Sequence, residues 1–400
     1  GIVDSGNVAV AGNVTLTTDA GNGVINMGTL QQSAGDLILV TNGNGAATVV
    51  NNAAIDFGTS NVGGALDVTA SAGTITQNGG ALTVAGTSAF TTSTNDQAIT
   101  LSNTTNALTG AVAFTTGGTT GNVVIDNGTT GLDLAASTIS GTLTATGGAS
   151  AGIVDSGNVA VAGNVTLTTD AGNGVINMGT LQQSAGDLIL VTNGTGAATV
   201  VNNAGIDFGT SNVGGALSAT ASAGNITQNG GAITVAGTSS FILGANSANV
   251  VLDHASNAFS GAVTLLAGAG GSQAFGNVTF VDDSAVKIDA NADAAGDLYL
   301  NAGTDGAVGG NLAVTATTGN ITQGVAVAVT GTSAFTTSAS DATITLGTTT
   351  NALGGTVAFT TAGTAGDVVI DNGPTGLDLA ASTINGTLTA TDGASAGIVD

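Results

Sequence analysis

A long internal repeat limits the folds open to this chain more than any other feature. Residues 1–88 recur as residues 152–239 with six differences, and residues 86–155 recur as residues 331–400. The offsets are 151 and 245 residues, so the sequence consists of two copies, 1–151 and 152–396. The second copy carries an insertion of 94 residues at about 241–330. A globular core rarely accepts such an insertion, whereas a stack of coils simply becomes longer, because each coil touches only its neighbours.

A shorter pattern recurs inside each copy: a glycine, a small or polar residue, and then aliphatic residues at alternate positions. It begins at Gly12, Gly35, Gly110 and Gly141, among other places. This alternation indicates a short strand with one buried face, entered by a tight turn. The spacing of such glycines predicts an all-β fold, a parallel β-helix (β-solenoid) of about 22–25 residues per coil. We expect one continuous solenoid over residues 1–400, and a fragment of a longer repeat array, since both ends read Gly-Ile-Val-Asp.

Composition supports strands and excludes several classes of partner. Only 6% of residues are charged, all 25 acidic residues are Asp, and the single Lys or Arg is Lys287. The usual charged helix formers are therefore nearly absent. With a net charge of −24 and a single lysine, the chain has no basic surface that could neutralise phosphates. We therefore expect no nucleic-acid partner and no binding to anionic membranes. No apolar run is long enough to predict membrane insertion as a helix, and the absence of cysteine excludes disulfides and thiolate metal sites.

Three strings suggest a family. Residues 64–77 read Gly-Ala-Leu-Asp-Val-Thr-Ala-Ser-Ala-Gly-Thr-Ile-Thr-Gln, and related strings occupy residues 80–90 and 106–114. They resemble the giant bacterial β-strand-repeat exoproteins of the filamentous haemagglutinin-like (adhesin) type. The resemblance implies a right-handed parallel β-helix that is exported across the outer membrane. It also implies a role as an adhesin, a surface fibre or biofilm matrix.

These observations together predict a non-enzymatic, extracellular fibrous surface protein of a bacterium, either a structural filament or an adhesin stalk. Its expected partners are copies of itself or a cell-surface or glycan receptor. The alternative is a polysaccharide-binding or polysaccharide-cleaving β-helix protein. Cleavage needs clustered carboxylates with a base, and usually a cation to stabilise a developing anion. The chain has one lysine and one histidine, and we interpret His254, which follows Asp253, as a turn residue.

One segment of the insertion concentrates oxygen ligands of the kind that calcium prefers. The candidate metal ligands are Asp282, Asp283, Asp289, Asn291, Asp293 and Asp297. Ala294 stands where a calcium loop has glycine, so two interpretations stay open, a calcium site and a solvated acidic turn. We predict no required cofactor, with calcium as the one candidate ion.

Two further residue types have expected structural roles. Phenylalanines such as Phe57, Phe90, Phe114 and Phe359 recur at equivalent places in both copies, so we expect them to stack in the core. Asn-Gly pairs, as at Asn42 and Asn127, are typical of turns.

Overall fold

Every regular element in the described part of the chain is a β-strand. The computed structural model describes residues 1–148, 151–170, 172–268, 273–301, 307–393 and 397–400. Parallel sheets form a β-solenoid of about 17 turns with about 22 residues per coil, which confirms the predicted fold class. The chain divides into two compact units, unit 1 (Gly1–Val200) and unit 2 (Val201–Asp400).

The strands of unit 1 belong to two parallel sheets. They are β1 (Ile2–Val3), β2 (Val8–Val10), β3 (Val14–Thr17), β4 (Ile25–Gln32), β5 (Leu37–Val40), β6 (Ala47–Asn51), β7 (Ile55–Val62), β8 (Leu66–Ala70), β9 (Ile75–Val84), β10 (Ser88–Asn95), β11 (Ile99–Leu101), β12 (Ala107–Leu108), β13 (Val112–Gly117), β14 (Val123–Asp126), β15 (Leu132–Leu134), β16 (Ser137–Ile139), β17 (Leu143–Gly147), β18 (Ile153–Asp155), β19 (Val159–Val161), β20 (Val165–Thr169), β21 (Ile176–Gln183) and β22 (Leu188–Val191). The point of division lies within β23 (Ala198–Asn202).

Unit 2 also consists of parallel strands, and five of them form two smaller sheets of three and two strands. Its strands are β24 (Ile206–Phe208), β25 (Ser211–Val213), β26 (Leu217–Ala221), β27 (Ile226–Gln228), β28 (Ile233–Val235), β29 (Ser239–Leu243), β30 (Val250–Leu252), β31 (Ala258–Phe259), β32 (Val263–Ala267), β33 (Val278–Asp282), β34 (Val286–Asp289), β35 (Asp297–Asn301), β36 (Ala307–Val308), β37 (Leu312–Ala316), β38 (Ile321–Gln323), β39 (Ala328–Val329), β40 (Ser333–Ser340), β41 (Ile344–Leu346), β42 (Ala352–Leu353), β43 (Val357–Ala362), β44 (Val368–Asp371), β45 (Leu377–Asp378), β46 (Leu388–Thr391) and β47 (Ile398–Val399).

Neighbouring coils pair in parallel and in register, so equivalent residues form columns. Val123 of β14 pairs with Leu143 of β17, which pairs with Val165 of β20. The turns approach one another as closely as the strands do. A Cβ atom added to Gly63 would lie 1.8 Å from the carbonyl oxygen of Gly43 in the coil before it. Glycine is therefore required where turn backbones stack directly.

Strand residues alternate between a buried aliphatic side chain and one that is at least partly exposed. In β26 the side chains of Leu217, Ala219 and Ala221 are buried and the two between them are half-buried. This alternation is the period of two that a strand imposes. The core is therefore a continuous column of small aliphatic side chains within each unit.

The phenylalanine side chains stack inside this core, as predicted. Phe57, Phe90 and Phe114 are fully buried. The ring centroids of Phe57 and Phe90 lie 6.2 Å apart, and those of Phe90 and Phe114 lie 5.9 Å apart. In unit 2 the rings of Phe335 and Phe359 lie 6.0 Å apart. Offset and edge-on contacts at such distances are favourable.

Buried amide groups occupy some of the corners between strands. In unit 1, Asn106 is 2% exposed, and its Oδ1 accepts the backbone N–H of Leu82 at 2.8 Å. Its Nδ2 donates to the carbonyls of Leu101 (3.2 Å) and Asp126 (3.0 Å). Gln77 and Asn106 also exchange two amide hydrogen bonds, of 2.6 Å and 3.0 Å. One asparagine side chain thus joins three successive coils.

A second set of asparagines does the same at the surface. In unit 2 the backbone N–H of Asn249 donates to Oδ1 of Asn225 at 2.9 Å. Asn277 donates likewise to Asn249 at 2.6 Å, and Asn311 to Asn277 at 2.9 Å. Each side chain satisfies a turn N–H of the following coil, a common role of Asn in turns.

The strand order departs from the chain order at one place in unit 2. We call the sheet that contains β26, β29 and β32 sheet 1, and the sheet that contains β30, β33 and β37 sheet 2. In sheet 1 the spatial order after β32 is β35, β34, β38, because β35 pairs with both β32 and β34. In sheet 2, β33 pairs directly with β37. Sheet 1 therefore holds one strand more than sheet 2 at this level, and that strand is β35.

Candidate functional site: the acidic turn of the insertion

The six candidate metal ligands lie on three strands of the insertion and on the two turns that join them. Asp282 ends β33, Asp289 ends β34 and Asp297 begins β35. Asp283 is in the first turn, and Asn291 and Asp293 are in the second turn, residues 290–296. We call this second turn, together with the flanking Lys287, Asp289 and Asp297, the acidic turn.

Asp282 stands at a buried corner where other coils have asparagine. It is 2% exposed, and its Oδ1 accepts the backbone N–H of Phe259 at 2.9 Å. Asn372 is fully buried and accepts the N–H of Leu353 at the same distance. Nδ2 of Asn372 also donates to the Leu353 carbonyl at 3.2 Å. An ionised carboxylate has no proton to donate, so Asp282 lacks this second hydrogen bond.

The second carboxylate oxygen of Asp282 has a different partner. Its Oδ2 accepts the hydroxyl of Ser284 at 2.6 Å, and Oδ1 also accepts the N–H of Asp283 at 2.9 Å. Burial raises the pKa of Asp282 and outweighs these hydrogen bonds, which act to lower it; the Asp283 charge raises it further. A buried carboxylate costs free energy relative to a neutral amide in the same place.

The acidic turn is organised by the one lysine of the chain. Nζ of Lys287 forms an ion pair with Asp289 and lies 3.9 Å from Oδ1 of Asp297. The Lys287 hydrogen bond lowers the pKa of Asp289 and, in return, the pKa of Lys287 is raised. Lys287 is about half exposed, so this pair adds little to stability. Its ammonium is, however, already paired with two of the six candidate ligands.

The remaining candidates lie outside these ion pairs, although the Asp293 charge also helps to raise the pKa of Lys287. Asp283, Asn291 and Asp293 are exposed, and no hydrogen bond joins any of them to Lys287. Across the described ranges, no group of three or more acidic or histidine side chains is placed to hold a metal ion. Calcium binding stays a prediction, and it requires the acidic turn to rearrange.

Asp282→Asn is expected to stabilise unit 2 in EDTA by about 1–2 kcal/mol, because the amide restores the missing donor and removes a buried charge. Thermal melts of the wild type and the variant, each in EDTA and in calcium, test this. The same melts test the calcium prediction, under which calcium stabilises the wild type more than the variant. A variant that melts below the wild type in EDTA would show that the carboxylate is preferred at this corner. Equal melts of the wild type in EDTA and calcium would remove the metal site.

Sequence reasoning placed asparagines in turns and missed their role in the core. Asn257 repeats the arrangement of Asn106: it exchanges hydrogen bonds of 2.7 Å and 2.9 Å with Gln228 and accepts the N–H of Ile233. The sequence feature that could have indicated this role is the string Asn-Ala-Leu or Asn-Ala-Phe, which begins at residues 106, 257 and 351. Asn127 lies in an Asn-Gly turn as predicted, yet it is fully buried.

His254 occupies a surface turn, as predicted. Its Nδ1 accepts the backbone N–H of Ser256 at 3.1 Å, and its own N–H lies 3.4 Å from Oε1 of Gln228. The ring is exposed in the loop between β30 and β31. These contacts stabilise the turn that leads into Asn257.

Two surface grooves are the alternative candidate sites. One, of about 220 Å³ in unit 1, is lined by polar residues that include Asn7, Gln31 and Asn52. The other, of about 310 Å³ in unit 2, is lined mainly by alanine and valine, including Ala307 and Ala328. Neither lining includes an aspartate, histidine or lysine.

Among the described residues there is no helix with the length and hydrophobicity to cross a membrane.

Comparison with known proteins identifies the type of repeat. A family described as repeats of unknown function (DUF5649) matches residues 44–115, 120–194, 195–266 and 275–360. No curated protein and no solved structure matches the chain. The successive matches begin at residues 44, 120, 195 and 275, so the repeat of the family is about half of the 151-residue offset. Since these matches cover well over half of the sequence, the chain belongs to the DUF5649 repeat family.

Proposed function

We propose that this chain is part of a non-enzymatic, exported fibrous protein of a bacterial surface, which serves as a structural filament or as an adhesin stalk. The observation that carries the proposal is the register of the coils. Strand after strand pairs with its neighbour residue by residue, as in the five pairs that join β17 to β20. Such pairing gives a repetitive scaffold whose stability is a sum of similar coil-to-coil contacts.

The surface supports a scaffold more than a reaction centre. Outward positions carry Thr, Asn, Asp and Ser, and the net charge is −24. The enzymatic alternative, cleavage of a polysaccharide, needs a base beside paired carboxylates. In the described part of the chain, the one histidine lies in a turn and the one lysine is held by Asp289. These placements favour the scaffold over the enzyme.

The proposed relatives are the filamentous haemagglutinin-like exoproteins, on the strings quoted above. Export across the outer membrane, surface exposure and a place in a biofilm matrix follow from that resemblance. The proposed partners are copies of the chain itself or a cell-surface or glycan receptor. An acidic, hydroxyl-rich surface resists nonspecific association at low salt, and salt or divalent cations screen that repulsion.

Protease treatment of intact cells of the source organism tests the proposed location. We expect the protein to be removed from the cell surface or found in the medium, and its recovery only from the cytosol would overturn the proposal.

Negative-stain microscopy of the purified chain then separates the structural role from the adhesin role. Filaments longer than one chain support the structural role. Single particles that coat beads and attach them to cells support the adhesin.

A further inference from the structure

Ten asparagines of this chain are followed by glycine, and the structure divides them by how firmly the reacting groups are held. In such a pair the backbone nitrogen of the glycine can attack the side-chain amide carbon, and glycine has no side chain to obstruct the approach. A hydrogen bond that holds either group slows the reaction, because it must break first. The ten residues are Asn22, Asn42, Asn44, Asn78, Asn127, Asn173, Asn193, Asn229, Asn372 and Asn385.

Seven of these asparagines are held at the amide by another part of the chain. Asn127 and Asn372 are fully buried, and the Nδ2 of each donates to two backbone carbonyls. Nδ2 of Asn385 donates to the carbonyl of Thr361 at 2.6 Å. Four more amides bond to a neighbouring coil at the surface, those of Asn22, Asn78, Asn173 and Asn229.

Asn44 is held at the other reacting group. Its side chain is exposed, but the N–H of Gly45, which would attack it, donates to the carbonyl of Asn42 at 3.1 Å. The second copy has Thr195 at the equivalent position, so this pair occurs in the first copy alone.

We propose that the two remaining asparagines, Asn42 and Asn193, are sites of spontaneous deamidation in the folded chain. Each is exposed at the first position of a turn, where its own carbonyl accepts an N–H three residues later at 3.1 Å. Within the described part of the chain, no hydrogen bond restrains either amide or the N–H of the glycine that follows it, Gly43 or Gly194. The inference does not depend on the proposed surface role.

The reaction needs only water as a second reactant. The glycine nitrogen loses its proton and bonds to the amide carbon, and ammonia leaves, which closes a cyclic imide. Water then opens the ring at either carbonyl to give aspartate or isoaspartate, so a neutral amide becomes a negative charge. In unit 1 the product lies beside the close contact between the Gly43 carbonyl and Gly63. Isoaspartate lengthens the backbone by one carbon there, so it is expected to loosen the stacking of this turn.

Incubation of the whole folded chain in neutral buffer for several weeks tests the proposal. Samples are digested with pepsin, and mass spectrometry measures the mass gained when an amide becomes a carboxylate. We expect Asn193 to react about five- to tenfold faster than Asn173, because Oδ1 of Asn173 accepts the N–H of Thr195 at 3.0 Å. Asn42 is expected to react faster than Asn22 for the same reason. Equal rates at Asn193 and Asn173 would overturn the proposal.

The same incubation in urea separates the effect of the fold from that of the local sequence. Unfolding removes the hydrogen bonds that hold Asn173, so the rates at Asn173 and Asn193 are expected to converge. An unchanged ratio of the two rates in urea would overturn the structural explanation. The variant Asn193→Gln is the matched control in the folded chain, because glutamine must close a larger ring and reacts slowly. A mass gain that persists in its peptide would also contradict the assignment.

Discussion

Asn106→Leu is expected to destabilise unit 1 by about 4 kcal/mol, because it leaves several buried polar groups without partners. The side chain of Gln77, the N–H of Leu82 and the carbonyls of Leu101 and Asp126 all bond to the Asn106 amide. Leucine has the same branching and number of side-chain heavy atoms as asparagine but satisfies none of them. Urea denaturation of the whole chain measures the loss, and hydrogen exchange shows whether the N–H of Leu82 becomes labile.

The control for this variant is an asparagine with a similar bond at the surface. Oδ1 of Asn122 accepts the N–H of Thr142 at 2.8 Å, but Asn122 is exposed. Water replaces that bond when it is lost, so Asn122→Leu is expected to cost less than about 1 kcal/mol. Similar losses for the two variants would contradict the view that burial makes the inner asparagines important.

The architecture was predictable from the sequence because repetition leaves few choices. The alternation after Gly141 predicted the strand Leu143–Gly147, and the glycine spacing predicted the coil length. The equivalent positions of Phe114 and Phe359 in the two copies predicted their burial. Each of these inferences depends on local periodicity, which a strand expresses directly in its sequence.

The candidate site was less predictable because it depends on contacts between coils. Asp282 and Asp283 are adjacent in the sequence, yet one is buried at a corner and the other is exposed. The reversed order of β34 and β35 likewise has no signature in either strand alone. The insertion lies outside the segments that recur at offsets of 151 and 245 residues, so neither offset aligns Asp282 with Asn372.

The corners explain how an interior made of small side chains is held in register. Aliphatic columns alone tolerate a shift of one coil against the next, because one valine resembles another. A buried amide must find its own donors and acceptors, so it specifies the register. The carboxylate at Asp282 weakens this specification at the corner that precedes β34, whose order with β35 is reversed.

Phe241→Ala is expected to cost about 4 kcal/mol and to act on only a few coils. Phe241 is fully buried, and its ring lies edge-on to Phe208 and Phe259 at 5.9 Å from each. Its removal leaves a cavity between two aromatic neighbours, and such truncations cost about 3–5 kcal/mol. Ile242, the next residue, faces outward and is half-buried, so Ile242→Ala is expected to cost about 1 kcal/mol.

Hydrogen exchange read by mass spectrometry locates the effect of Phe241→Ala. Because each coil contacts only its neighbours, exchange is expected to rise in β29 and in its partners β26 and β32, and to stay unchanged in unit 1. An equal rise throughout the chain would mean that all coils unfold as one cooperative unit. Fast exchange confined to β29 and its partners would mean that stability is set coil by coil, so a solenoid of this kind can gain an insertion in one copy without loss elsewhere.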